Sequence, residues 1–377
     1  MKTTIIKTLI RIAFIANIGL IILLLLSNLA PLLNPAKYWP IALLGITFPI
    51  LLIFTICFII FWLFVKRKKS FFSIAAIFLS LPNIFSCFAF HFQPGFTQQK
   101  QNQNLRVLTW NVGLMNYEVA DSTIAIENNK IIFAKIKEAD ADIVCLQEFF
   151  SAIVPGNHYN LIDSISKTIN YPYTYFSKDI PKFDGKYYSG TIIFSRYKFI
   201  DTQKIVYPNS FGSILKAAIY FNHDTTNIFT TRFQSVNFRK NEYRELNNIK
   251  KVSDSAFAGS KNIAKKLILG YSQRVQQISI AKQFMADQKR PVIFTGDFND
   301  VPTSYTYSTL KKGMSDVWIS KGAGLGRTFE FISPTLRIDN IFYNDFFKAQ
   351  QVKRIITKGA SDHYGILADF SLIKNEQ

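Results

Sequence analysis

The sequence predicts an α/β protein: two packed mixed β-sheets flanked by helices in a four-layer sandwich, preceded by an all-α transmembrane segment. Three observations carry that prediction. Residues 1–91 contain no Asp or Glu and are mostly Leu, Ile, Phe and Ala, so the chain divides sharply by composition. Beyond residue 104, short β-branched and aromatic runs are mixed with stretches of helical period. Many of those runs succeed one another at short spacing with turn residues between them, which suggests two packed sheets with helices outside.

Charge and cysteine usage bound the function. Of the 44 Lys and Arg, eight fall in residues 1–91, which leaves 36 against all 25 Asp and Glu, an excess of +11 in the remainder. That remainder is long enough to bury a sizeable core. Its positive excess suits nucleic acid, an anionic membrane surface or solubility alone. Cys57 and Cys87 lie in apolar runs and Cys145 in a predicted strand. Their spacing implies neither a disulfide framework nor a zinc site, and each reads as a small hydrophobe.

The N-terminal segment, residues 1–92, reads as a membrane anchor with about three transmembrane helices over 12–33, 41–65 and 71–92, each near the roughly 20 residues that a span needs. Lys7 and Arg11 precede the first stretch, and Lys66, Arg67, Lys68 and Lys69 separate the second from the third. Basic flanks stay in the cytoplasm, so three crossings put the rest of the chain on the non-cytoplasmic side. Pro82, Asn83 and His91 interrupt the third stretch. A re-entrant or interfacial helix there is the alternative, and it would reverse the topology.

A polar linker is expected over 93–103, followed by a catalytic domain over 104–377. A strand over 105–110 ends at Asn111, a helix spans 124–138, and a buried strand over 142–148 carries Glu148 at its carboxyl end. An aromatic and polar region follows, with loops and a short helix, then strands over 189–196, 199–206, 214–221 and 226–232. Residues 239–266 hold eight basic and three acidic side chains and read as a solvated loop, with lipid-surface docking and nucleic-acid binding equally plausible if it is functional. A helix over 263–288 leads to the central run, 291–300. There an apolar strand is expected to turn at Thr295 and Gly296 and to present Asp297 and Asn299 together, an acid and an amide suited to orienting water against a phosphate. A helix near 303–311 and strands over 337–343, 352–356 and 364–370 complete the chain. Arg274, on the predicted helix before the central strand, reads as a packing or salt-bridge residue.

Asn111, Glu148, Asp297 with Asn299, Asp339, and Asp362 with His363 thus stand at strand ends. Five motifs in order, TWN at 109–111, QE at 147–148, GDFN at 296–299, RIDNIF at 337–342 and SDH at 361–363, give residues 104–371 a specific resemblance to the endonuclease/exonuclease/phosphatase superfamily. Its members include pancreatic-type deoxyribonucleases, abasic-site endonucleases, neutral sphingomyelinases and inositol-polyphosphate 5-phosphatases. The resemblance implies Mg²⁺, with Mn²⁺ as the alternative ion, bound by Glu148 with Asn111 beside it and Asp362 on the far side. It implies that Asp297 activates water, that Asn299 donates to a phosphate oxygen, and that His363, held protonated by Asp339, contacts the phosphate. Oxygen ligands of this kind suit a hard divalent cation.

One departure stands out. Where many relatives carry histidine in a run like Asn-Thr-His-Leu-Gln-Ser, this chain has Arg232 in Thr230-Thr231-Arg232-Phe233-Gln234-Ser235. Arginine keeps a charge and donors for a phosphate but does not relay protons near neutral pH. Two functions follow as expectations. One is a membrane-anchored Mg²⁺-dependent phosphodiesterase acting on nucleic acid or phospholipid, in contact with the bilayer through its N-terminal helices. The other is a catalytically impaired member of the fold that serves as a tethered binding module.

Overall fold

The computed structural model describes residues 2–92, 95–101, 103–157, 159–235, 255–286, 289–331, 333–357 and 359–373. The basic interval expected at 239–266 lies outside them as far as residue 254, and its side chains are described only from Lys265 onward. The chain forms two compact units. One comprises Met1–Phe88, Phe238–Val275 and Asp300–Thr309, and the other Ala89–Asn237, Gln276–Asn299 and Leu310–Gln377.

In the first unit, α1 (Lys2–Ser27) and α2 (Trp39–Val65) precede α3 (Ser70–Leu79) and α4 (Leu81–Cys87). Thr4–Ser27 and Trp39–Val65 are each long and apolar enough to cross a membrane, and side chains such as Ile12, Ile15 and Phe54 are exposed on them. A helix that is apolar all round suits lipid better than water. The third apolar stretch is not one straight span: α3 and α4 meet at a bend of 58°. Pro82 sits in the first turn of α4, where its missing N–H leaves no helical bond unmade. A buried polar pair joins α3 to α1, with Ser73 donating to Asn17 at 3.0 Å, and Asn28 just after α1 donates to Ser80 between α3 and α4 at 2.9 Å. In the same unit Arg274 donates to Asp300 at 2.9 Å, and both side chains are buried, which is the salt-bridge role expected of it.

The second unit holds the sheets. Its strands are β1 (Asn104–Asn111), β2 (Ile143–Ala152), β3 (Tyr173–Phe176), β4 (Ile180–Lys182), β5 (Tyr187–Ser195), β6 (Phe199–Val206), β7 (Ser213–Phe221), β8 (Asp224–Arg232), β9 (Val292–Asp297), β10 (Ser315–Asp316), β11 (Asp339–Tyr343), β12 (Phe347–Ile355) and β13 (Gly365–Leu372). Six strands pair in the order β10-β11-β9-β8-β7-β6, and a seven-stranded sheet runs β12-β13-β1-β2-β5-β3 with β4 also on β5. Leu105, Val107, Ile143 and Cys145 of one sheet meet Leu215, Ala217, Ile228 and Ile293 of the other in the core between them. On the outer face of the seven-stranded sheet, α5 (Ser122–Ala139) and α6 (Leu161–Ile169) pack Ile132, Ile136 and Ile165 against Val144, Leu146 and Phe194. On the other outer face, Phe284 of α7 (Ser255–Met285) meets Phe229 edge-on. The order is helix, sheet, sheet, helix. Strands such as β1 and β2 bury both faces, which is why they read as continuous apolar runs.

Three local expectations change. The aromatic region before residue 186 contributes two strands, β3 and β4, besides the expected helix α6. Thr295 and Gly296 do not turn the chain: β9 continues through Asp297, and the turn follows it. The polar stretch before β1 is strapped down. Thr97 and Gln351 exchange bonds of 2.9 and 3.0 Å, and Arg106, buried and paired twice with Asp369 at 2.6 and 2.9 Å, donates to Gln98 O at 2.9 Å. The buried bidentate pair fixes the Arg106 guanidinium, and its remaining nitrogen then holds the stretch at Gln98.

Candidate active site

Strand register assembles the site. Asp297 on β9 lies opposite Arg232 on its parallel neighbour β8 and opposite Asp339 on its antiparallel neighbour β11. One base and two acids therefore share a row across three adjacent strands. Side chains directly opposite one another lie within interaction distance, and like charges repel there. Burial first, and then Asp339, push the Asp297 carboxyl up to about 6. The close row depends on Gly296. Its φ is 147°, and a Cβ there would stand 2.0 Å from Thr231 O, so only glycine lets β9 lie this tightly on β8.

The seven-stranded sheet supplies the facing residues. Asn111 ends β1 opposite Gln147 of β2. Gln147 points between the sheets and donates to Thr230 at 3.0 Å and Thr109 at 3.1 Å, so the two sheet ends are cross-linked beneath the site. At Glu148 the register shifts between Leu146 and Phe149, and the backbone turns left-handed at φ 49°. Such a kink re-aims one side chain out of the strand's alternation. Asn111 Nδ2 then bridges the sheets, donating to Glu148 Oε1 and to Asp297 Oδ2, each at 3.0 Å.

Arg232 Nε lies 2.7 Å from Glu148 Oε1 and 3.7 Å from Asp297 Oδ2. Burial pulls the Arg232 guanidinium pKa down, but Glu148 and Asp297 outweigh it and raise it. Burial likewise opposes ionisation of Glu148, while Arg232 and Asn111 outweigh it and hold the carboxyl below its ordinary value. Asn299 has its donors engaged: its N–H meets Asp297 Oδ1 at 2.9 Å, and Nδ2 donates to Asp297 Oδ2 at 3.0 Å and Phe233 O at 2.8 Å. It orients Asp297 here, with no amide hydrogen left for a phosphate.

His363 Nδ1 lies 2.9 Å from Asp339 Oδ2. Burial draws its pKa down, yet Asp339 and then Asp297 raise it to about 10. Trp110 Nε1 donates to His363 O at 2.9 Å, and Ser361 Oγ ties the loop to Asn111 O at 2.8 Å. The ring of Phe329 meets the imidazole edge-on at 5.0 Å. Asp362 lies beside Gly113, and its carboxyl is pushed up by burial and by nearby Glu148, against His363. All eight residues expected at the site thus fall in one unit, most of them at or just outside strand ends; Glu148, expected at the carboxyl end of its strand, sits instead at the irregularity inside β2, which continues to Ala152.

Two partners have no local signal in the sequence. Thr328 Oγ1 accepts from the N–H groups of Ile338 and Asp339 at 2.9 and 3.1 Å, and Phe329 flanks His363. Both lie in a loop without periodicity. Gln147 is part of a recognised motif, but its cross-linking role appears only when the sheets are packed.

The residues fit a divalent cation. Glu148 and Asp362 bring carboxylates and Asn111 an amide oxygen to the site, and ligand atoms of Asp297, Asp339 and His363 lie within 4.8 Å of one another, though a protonated His363 leaves that second group only its two carboxylates as ligands. Carboxylate and amide oxygens are the donors that hard cations take.

Two sheets that pool acids, amides and a cationic histidine at their ends define a phosphate-ester hydrolase. The model of the endonuclease/exonuclease/phosphatase family matches residues 108–363, and the chain belongs to that family, as a metal-dependent hydrolase of phosphate ester bonds. A second family model, described as a domain of unknown function, matches residues 9–87. An endonuclease/exonuclease/phosphatase from Beutenbergia cavernae superposes with a TM-score of 0.52 at 21% identity, covering 72% of each chain. The human Nocturnin catalytic domain with bound sulfate gives 0.51 at 16% identity, covering 75% of this chain and 98% of that one. Mannosyl-6-phosphatase Bt3783 of Bacteroides thetaiotaomicron gives 0.50 at 15%, covering 71% and 100%. At these identities the likeness establishes the fold. No curated protein sequence matches the chain.

Proposed function

We propose that the chain is a membrane-anchored, Mg²⁺-dependent phosphodiesterase whose substrate is nucleic acid or phospholipid. The observation that carries this reading is the row Arg232, Asp297, Asp339 on three adjacent strands, with Asn111 bridging Asp297 to Glu148 of the other sheet. Glu148, kept ionised, would hold the cation with Asn111 and Asp362, and the cation would neutralise phosphate charge. His363 suits a phosphate contact better than a ligand's part, since a protonated imidazole has no lone pair to offer. Asp339 fixes Nδ1 and leaves Nε2 for the substrate. Asp297, oriented by Asn299, takes a proton from water as the water oxygen bonds to phosphorus. The P–O bond to the leaving alcohol breaks, and the alkoxide takes a proton from solvent. Arg232 reaches the same space as a clamp on phosphate oxygens.

Full-length protein is expected to hydrolyse bis-p-nitrophenyl phosphate with Mg²⁺ and to stop when EDTA is added. Glu148→Gln and Asp297→Asn should each lower kcat by at least about a hundredfold. The Arg232–Glu148 contact of 2.7 Å favours one rival reading, a binding module in which arginine takes the cation's place. Wild-type protein that turns over no ester with any divalent ion would establish that rival.

The two long apolar helices and the bent pair support anchoring through about three passages, with residues 1–92 as anchor and 104–377 as catalytic domain. With the positive flanks inside, three passages would put the catalytic domain on the non-cytoplasmic side. A reporter fused after Gln377 that works only in the cytoplasm should then stay silent.

A further inference from the structure

An apolar pocket opens beside the site, at the same edge of the seven-stranded sheet. Its volume is about 400 Å³, and its wall comes from the segment after β1, the first turns of α5 and α6, and the hairpin joining β4 to β5. The floor is an aromatic ladder. Tyr117 stacks on Phe150 at 4.3 Å, and Phe150 on Tyr187 at 5.5 Å, both pairs nearly parallel. The lip is exposed and apolar, with Phe183 54% and Ile126 52% accessible. Exposed apolar groups gathered around a cavity mark a binding surface more often than single scattered ones do.

The pocket lies close to the reacting groups. Phe150 follows Glu148 by two positions on β2, about 7 Å along a strand. Tyr187, which opens β5, pairs with Ala152, so the hairpin tip lies beyond the end of β2 that carries Glu148. Asn116, in the pocket wall, donates to Ala360 O at 3.1 Å, in the loop that continues to Asp362 and His363. One end of the cleft is therefore charged, with the Arg232 guanidinium set among carboxylates, and the other is apolar. An amphiphile has that pattern of charge and grease.

We propose that this pocket holds the hydrocarbon tail of the phosphate ester cleaved at the site, so that the substrate is a phospholipid-type amphiphile; the proposal rests on the phosphodiesterase reading. The pocket is poorly equipped for a nucleobase. The faces of Tyr117 and Phe150 are turned to one another, and Asn116 spends its amide on Asn129, Asn128 and Ala360 at 3.0 to 3.1 Å. Those bonds take up the Asn116 amide, which would otherwise be suited to reading a base edge. The same chain carries two helices long and apolar enough to cross a bilayer, which would bring it to such a substrate.

The test uses full-length protein in amphipol with Mg²⁺. The probes are n-alkylphosphonates of roughly four to ten carbons, whose C–P bond the site does not cleave. Calorimetry is expected to show binding that tightens about fourfold per added methylene, the factor that burial of one CH₂ supplies, until the pocket is full. Ile126→Asp and Phe183→Asp, both at exposed positions, should flatten that dependence while bis-p-nitrophenyl phosphate is hydrolysed as before. Equal binding at every chain length by protein that hydrolyses bis-p-nitrophenyl phosphate overturns the pocket and leaves the phosphodiesterase reading standing. Chain-length-dependent binding by protein that hydrolyses nothing keeps the pocket and overturns that reading. An oligothymidylate that displaces the alkylphosphonate, and whose own binding Ile126→Asp abolishes, assigns the pocket to nucleic acid and overturns the proposal.

Discussion

Arg232 is the side chain on which the chemistry of this cleft turns, because it sets a permanent cation against the acid expected to bind metal. Arg232→Ala is expected to lower kcat about a hundredfold, the effect of removing one donor to developing phosphate charge. It should also tighten Mn²⁺ binding measured by calorimetry, since Glu148 loses a competing cation 2.7 Å away. Unchanged turnover and unchanged Mn²⁺ affinity would reduce Arg232 to a counter-ion. The titrations give a second prediction. Asp297, raised to about 6, must be ionised to take a proton, and a bound cation lowers that value. The acid limb of kcat against pH should therefore fall at or below about 6, and a limb above 7 would count against Asp297 as the base. His363 runs the other way. Its folded value, about 10, exceeds its ordinary 6.5, so its contribution to stability is complete below 6.5 and is lost as pH rises through 10. Urea midpoints should fall over that window in wild type and change less in His363→Gln.

Among the elements, Gly296 shows how a local signal misleads. Thr-Gly reads as a turn because glycine is common in turns, but this glycine answers to the β8 backbone beside it, at Thr231 far earlier in the chain. Gly296→Ala is expected to cost about 3 kcal/mol or more, since β8 and β9 must part or the backbone must strain. Thermal denaturation would measure it, and a loss below about 1 kcal/mol would mean that the row tolerates separation. Strands buried on both faces, such as β1, β2 and β9, were legible from their apolar runs alone. The strands β3 and β4 were not, being short and partly exposed, with Pro181 in β4, which fits only an edge. Acids and amides at strand ends were legible as candidates. That Asn299 is spent on Asp297 and Phe233, or that Gln147 ties Thr109 to Thr230, depends on contacts across sheets that no window of sequence contains.

For the whole chain, the contrast between an acid-free N-terminal quarter and a catalytic domain was the most legible feature, and α1 and α2 are as long and apolar as that contrast suggests. Alkaline carbonate is therefore expected to leave full-length protein in the membrane pellet, whereas release to the supernatant would mean that these helices lie on a surface without crossing it. The bend between α3 and α4 was only hinted at by Pro82 and Asn83. Finally, the left-handed backbone at Glu148 sets the interests of the fold against those of its chemistry. An L side chain in that conformation costs about 1 kcal/mol that glycine would not, and the pairing with Arg232 offsets it. A laboratory lineage propagated for heat resistance alone would have to discard acid and guanidinium together to escape that strain, and its hardiest descendants would be well-folded proteins with nothing left to catalyse.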